Sequence, residues 1–381
     1  METLADLHIS TLKNLESLPD YLCYYVRHLS LDFRCRKSLF DLVAYVLPRL
    51  RHLTSLAMRD LRYPVGESRR LEFQQSWDAF LPCFDVAGTT SLKCLILDGV
   101  DFRGLYSFHH FLSKTRFRHL DELFIRDTRL IQSCWGNAYQ EIGEQYPWDY
   151  RSSSLRTLTI LRSWGSIYSA LCDQRCPFDV TWICKLQFIT SSSVQQPFHG
   201  LVLPKPSNVF KSLTHLETRG NEIIFDPALG PALPVLTHYY VKLSLYMDWE
   251  LDERAVFPPF LAIHDAAPNL QCVILDVQDI PRGLAASGNK LNEIIVNAPL
   301  PLYIRFVVLV AKWTVDQVRE ALQMATQRRA LEVVCAGAPT AFKMSHTNLD
   351  ILQWIYDRSL EDVGVYFAFR RACAHETDSA V

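Results

Sequence analysis

One short pattern, recurring along the whole chain, limits what these 381 residues can fold into. The order apolar-x-x-apolar-x-apolar appears as Leu53-Thr54-Ser55-Leu56-Ala57-Met58, Leu92-Lys93-Cys94-Leu95-Ile96-Leu97, Leu120-Asp121-Glu122-Leu123-Phe124-Ile125 and Leu155-Arg156-Thr157-Leu158-Thr159-Ile160. Looser copies begin at Ile183, Leu213, Leu236, Leu270 and Leu291, an earlier one at Val26 and a weaker last one at Leu331. The eleven starts lie on average about 30 residues apart. Within each copy the final alternation makes a short strand with one apolar face, while the first apolar residue packs where the chain enters the strand. A strand that short cannot bury its face alone. Stacking unit on unit buries it and builds a parallel sheet.

The joining segments read as helices where they are long enough. Residues 38–47 stop before Pro48 and residues 71–81 stop at Pro82, since the residue before a proline is driven out of the helical region. Residues 108–114, 260–267 and 314–330 carry the same spacing, the last behind Thr314 as a cap. Strand and helix in alternation predict an α/β fold. An ordinary α/β domain would alternate too, but Asn221 stands just past one strand, where an amide side chain can satisfy a turn, and Asp60, Asp98 and Asp127 take similar places.

The runs Tyr25-Val26-Arg27-His28-Leu29-Ser30-Leu31 and Leu47-Pro48-Arg49-Leu50-Arg51-His52-Leu53-Thr54-Ser55-Leu56, then Trp77 with Phe80, and residues 91–100 with Phe102, resemble the irregular leucine-rich-repeat region of fungal, basidiomycete-type F-box proteins. The resemblance spans residues 20–370. It implies an irregular solenoid, with a curved parallel sheet on the concave side and helices and loops on the convex side. Its expected divisions are an N-terminal cap or remnant over 1–24, the solenoid over 25–345, a C-terminal cap-helix region over 346–371 and a flexible tail over 372–381. In that family an N-terminal F-box docks the Skp adaptor of a cullin ubiquitin ligase and the repeats hold the substrate. Leu18-Pro19 is present here, but the first repeat starts six residues later, at Tyr25, and leaves no room for an F-box. The likeness is therefore to the substrate-recognition half alone, as a stand-alone relative or a truncated gene model.

Composition narrows the role. With 39 basic against 41 acidic side chains, a net charge of −2, the chain has no field to draw it onto nucleic acid or an anionic membrane. The N-terminus carries Glu2 and Asp6 where a secretory signal would be basic, and the longest apolar runs, 42–47 and 306–311, are far short of the roughly 20 residues that span a bilayer. Eleven scattered cysteines and no Asn-x-Ser/Thr acceptor point to a cytoplasmic or nuclear chain. A monomer is expected, with no cofactor.

No Gly-rich phosphate loop, H-E-x-x-H or G-x-S-x-G occurs, so no catalytic residue is assigned. Cys172, Cys176, Cys184 and His199 are set aside as a zinc set, because structural sites favour tighter pairs. Binding is instead expected on the residues alternating with the core leucines. Lys185, His215, Glu217, Arg219, His238, Tyr240 and Lys242 form the expected recognition patch, joined by Arg59, Phe124 and Arg126 on earlier strands. Phe124, Arg126, Arg219 and Tyr240 are the first choices as anchors, since aromatics and arginine dominate interface energies. Residues 133–154 and 190–206 read as loops, the first aromatic-rich. The sequence thus predicts a non-catalytic scaffold that binds protein, with an α/β enzyme whose site is built from loops as the alternative.

Overall fold

The computed structural model describes residues 6–9, 19–33, 39–64, 67–85, 92–131, 152, 154–161, 163, 165–189, 201–202, 211–219, 223–224, 233–242, 263, 266–276, 291–293, 295–298, 300–310 and 315–335. The chain divides into two units, Met1–Cys335 and Ala336–Val381, and all of the second lies outside the described residues. The expected cap helix and tail fall there. Asn221, His199 and nearly all of the 133–154 loop are also outside.

In chain order the strands are β1 Asp6–Ile9, β2 His28–Asp32, β3 Ser55–Arg59, β4 Cys94–Asp98, β5 Asp101–Phe102, β6 Glu122–Arg126, β7 Arg129–Leu130, β8 Thr157–Leu161, β9 Lys185–Ile189, β10 Leu201–Val202, β11 His215–Arg219, β12 Ile223–Ile224, β13 His238–Lys242, β14 Cys272–Asp276, β15 Arg305–Val310 and β16 Leu331–Cys335. The helices are α1 Asp20–Cys23, α2 Leu39–Val46, α3 Glu67–Phe80, α4 Leu105–Leu112, α5 Gly165–Cys172, α6 Val315–Ala321 and α7 Gln323–Arg328. Twelve strands make one sheet in the order β1-β2-β3-β4-β6-β8-β9-β11-β13-β14-β15-β16, each paired parallel with the next. The fold is α/β, and spatial order in this sheet follows chain order throughout.

Pairing is in register, so the apolar row expected from sequence runs unbroken through Leu29, Leu56, Leu95, Leu123, Leu158, Leu186, Leu216, Tyr239 and Val273, and continues into Phe306, which the sequence reading did not place. All ten are buried. The entry residues Val26, Leu53, Leu92, Leu120, Leu155, Ile183, Leu213, Leu236 and Leu270 are buried as well. One backbone device repeats beside them. The carbonyl of the residue before a strand accepts two amides of the next unit: Arg27 O from Thr54 N and Ser55 N (2.8 and 3.0 Å), Thr54 O from Lys93 N and Cys94 N, and so on through Lys93, Asp121, Arg156, Cys184, Thr214 and Thr237.

Just past three strands the chain turns through left-handed residues, Asp60 (φ 53°), Gly99 (φ 70°) and Asp127 (φ 49°). Asp60 and Asp127 fill the turn places expected of them; Asp98 is instead the last residue of β4. At Gly99 a side chain would also meet the Arg62 guanidinium, its Cβ falling 2.8 Å from Nη2. Behind the sheet, rings fill the space between irregular units: Trp77 and Phe80 of α3 pack with Phe40 of α2, Phe84, Phe102 and Phe111 of α4. These rings therefore serve core packing.

Three expectations are corrected. The copy at 291–296 is not a strand: residues 291–293 and 295–297 are helical, and the strand of that unit is β15. Leu291, Ile295 and Ala298 are buried while Glu293 and Asn297 are exposed, a helical rather than a two-residue period. Asn292 holds the segment to α7, its Oδ1 accepting from Ala325 N at 2.7 Å. At the other end, β1 extends the sheet within the segment expected only to cap it, and β10, a two-residue strand, lies inside the 190–206 loop. Among the described residues no helix is long and apolar enough to cross a membrane.

Buried polar groups tie units together. Arg116, fully buried, donates from Nη1 to Leu47 O (3.1 Å) and from Nη2 to Leu50 O (2.6 Å), capping the carbonyls that follow α2. Burial lowers its pKa to about 10, so it is still charged at neutral pH. Arg116→Met leaves both carbonyls without these donors and should lower the unfolding free energy by about 2–4 kcal/mol. Urea unfolding checks this, and a loss below about 0.5 kcal/mol would contradict it. His109 of α4 donates from Nε2 to Ala170 O of α5 at 2.8 Å, and burial lowers its pKa to about 4. Its folded value lies below the unfolded one, so the unfolded chain takes the proton first and stability falls as pH drops from about 6.5 towards 4. Between pH 7 and 5 the expected loss is on the order of 2 kcal/mol for this residue, and His109→Gln should remove that share. An unchanged pH profile in the variant would sink the assignment.

Candidate functional site

From β2 to β15 in the main sheet, the first, third and fifth backbone positions of each strand alternate with those of the core row, and register gathers these positions into three rows. The first row contains Glu122, Thr157, Lys185, His215, His238, Cys272 and Arg305. The centre row contains Phe124, Thr159, Gln187, Glu217, Tyr240 and Ile274, and the third contains Asp32, Arg59, Asp98 and Arg126 at one end and Arg219, Lys242 and Asp276 further on.

Seven of the ten expected binding residues come together on β9, β11 and β13. Lys185, His215 and His238 are neighbours in the first row, Glu217 and Tyr240 in the centre row, and the backbones of Arg219 and Lys242 pair in the third. The side chains of Arg219 and Lys242 are outside the described residues. Phe124 and Arg126 sit two strands from β9, about 10 Å away, and Arg59 four strands away. Burial divides this set. Lys185 is exposed, while Arg59, Phe124, Arg126, His215 and His238 are half-buried. Glu217 and Tyr240 are 0% exposed, so neither offers a side chain to a rigid partner. Glu217 Oε1 accepts from Gln187 Nε2 at 3.1 Å, a bond within the sheet. Arg126 grips Asp98 with two parallel bonds, Nε to Oδ1 at 2.8 Å and Nη2 to Oδ2, so a partner's carboxylate would have to displace Asp98.

The two histidines are built alike. Leu213-Thr214-His215 and Leu236-Thr237-His238 repeat the same three residues at the same place in successive units. Each threonine hydroxyl donates to the preceding carbonyl, Thr214 Oγ1 to Cys184 O and Thr237 Oγ1 to Thr214 O, both at 3.1 Å. Its oxygen then accepts from the imidazole beside it, Nδ1 lying 2.9 Å away in both units. Nδ1 therefore carries the proton of each neutral ring. The rings stack face to face, centroids 4.5 Å apart and planes within 3°. Burial first, then the neighbouring His238 and Lys185, bring the pKa of His215 down to about 4. At neutral pH the His215 ring is therefore uncharged, stacked on His238 and beside the Lys185 ammonium group.

The sequence reading passed over the side chains around this pair. Trp182, 45% exposed, stands in the turn that enters β9. The Arg156 guanidinium lies over its ring at 5.5 Å and donates from Nη1 to Trp182 O at 3.2 Å. Lys211 is exposed at the turn into β11. The only sequence signal for this architecture was the repeated Leu-Thr-His.

The cysteines once weighed as a zinc set are spread through the same region. Cys176 is buried, Cys172 lies against Tyr168 with its thiol pushed up to about 12 by burial, and Cys184 Sγ is 3.6 Å from Trp182 O. A metal ligand must be a thiolate, which burial opposes at Cys172. Among the described residues no group of three or more His, Cys, Asp or Glu is placed to hold a metal ion.

Removing the Lys185 charge should raise the pKa of His215. A Lys185→Ala chain followed by NMR of the imidazole C–H signals is expected to titrate at higher pH than the wild type; no upward shift would contradict the assigned coupling. In comparison with known proteins, the chain matches no protein-family model and no curated protein.

Proposed function

We propose that this chain is a non-catalytic protein-binding scaffold, an irregular leucine-rich-repeat solenoid resembling the substrate-recognition region of an F-box-type ubiquitin-ligase adaptor. One observation carries the reading: across twelve parallel strands, spatial order never departs from chain order. Doubly wound α/β enzymes bind where their strand order reverses, and these strands make no such switch point. A stack of this kind instead repeats one backbone frame about every 4.8 Å and varies only the side chains on it, which suits recognition of a macromolecular surface. The three rows, with their Asp/Arg alternation and the Lys185-His215-His238 run, supply that variation. The partner is a protein, a ubiquitin-ligase substrate if the family likeness extends so far, met in the cytoplasm or nucleus by a monomeric chain.

The test is affinity purification of the tagged chain from its own cells, with and without proteasome inhibition, followed by direct binding of each enriched protein to the purified chain. The reading expects at least one partner that binds directly and accumulates with the inhibitor if it is a ligase substrate. A chain that enriches no protein above a tag-only control would overturn it.

A further inference from the structure

Resting on that protein-binding reading, we propose that the rim at the N-terminal ends of β8, β9 and β11 docks an acidic protein segment. Three exposed cations stand there on successive strands: Arg156 before β8, Lys185 at the start of β9 and Lys211 at the turn into β11. None forms an ion pair with a described carboxylate. The acidic groups of the same units are already engaged. Asp179 accepts from Thr181 N and Oγ1 (3.1 and 2.7 Å), Asp173 is held by Arg175 (2.8 and 2.7 Å), and Glu217 is buried in the centre row. Among the described residues these three cations are therefore left without a carboxylate partner, in a chain whose net charge is −2.

The apolar part of the same rim is Trp182, 45% exposed, with the Arg156 guanidinium over one face of its ring. Tryptophan beside arginine and lysine is the composition of an interface anchor with a charged surround. Neighbouring strands are about 4.8 Å apart and alternate side chains of an extended peptide about 6.7 Å. A segment laid across the strand ends can thus set carboxylates near all three cations and an aromatic or aliphatic side chain against Trp182. One exposed tryptophan is too little apolar surface for a bilayer, and a single ring with three cations is too short a stripe for single-stranded nucleic acid.

The probe is a fluorescein-labelled peptide of about 12 residues in which glutamate alternates with phenylalanine and serine, titrated against the full chain by anisotropy. A glutamine-for-glutamate peptide, phosphatidylserine vesicles and an RNA oligonucleotide are run beside it. The acidic peptide should bind best, weaken as salt rises from about 50 to about 300 mM, and lose at least about tenfold in affinity to Arg156→Glu/Lys185→Glu/Lys211→Glu. If that variant misfolds by circular dichroism, Lys185→Gln/Lys211→Gln should show a smaller loss in the same direction. Equal binding of the glutamine peptide, unchanged affinity in the folded variants, or stronger binding to vesicles or RNA would overturn the proposal. If purified partners bind the chain but ignore these substitutions, this rim is not their site and the scaffold reading stands; if no partner is captured at all, the scaffold reading itself fails.

Discussion

The stack depends on one carbonyl per unit. By accepting two amides from the next unit, the residue before each of β2, β3, β4, β6, β8, β9, β11 and β13 fixes where the following strand begins, and the register from β3 to β14 follows. A slip of one residue would turn the leucines outward, so this contact and the buried leucine row enforce the same answer. Each such bond contributes only about 1 kcal/mol net, but the device is repeated from Arg27 to Thr237 and acts in series. Because it sits at strand entry, it places no demand on what joins the strands. That is why helices of 14 residues, short 3₁₀ turns and two-residue strands can all serve as connections in one sheet.

The candidate site follows from the same constraint. Register sets Lys185, His215 and His238 side by side; the threonine before each histidine then fixes its tautomer by using a carbonyl that the stack has already positioned. A stacked imidazole pair next to Lys185 is thus a consequence of repetition. From β11 to β14 the centre row is closed to solvent. Glu217, Tyr240 and Ile274 are buried, while Lys185 and Trp182 at the strand entries are exposed, which moves the accessible chemistry from the middle of the face to its rim.

Much of this was legible from sequence. The leucine pattern located ten of the twelve strands of the main sheet, because each leucine in it has a burial requirement that the alternation makes visible. The segment at Leu291 misled because Leu291, Ile294 and Val296 satisfy the template by chance, while Leu291, Ile295 and Ala298 also fit a helix, and packing of Asn292 on α7 decides for the helix. Strand β1 carries the same order in Leu4-Ala5-Asp6-Leu7-His8-Ile9, a copy that the sequence reading passed over. At the site, alternation told which side Glu217 and Tyr240 face but not whether that side is covered. Arg156 and Trp182 were missed because strand periodicity says nothing about the turns where they meet.

The central claim, that successive units are joined through strand-entry carbonyls, is tested most directly by native-state amide hydrogen exchange of the full chain. The paired amides of Thr54 and Ser55, Lys93 and Cys94, Asp121 and Glu122, Arg156 and Thr157, Cys184 and Lys185, Thr214 and His215, Thr237 and His238, and Gln271 and Cys272 should all be protected. Rapid exchange at these pairs, with slow exchange confined to the strand centres, would contradict it.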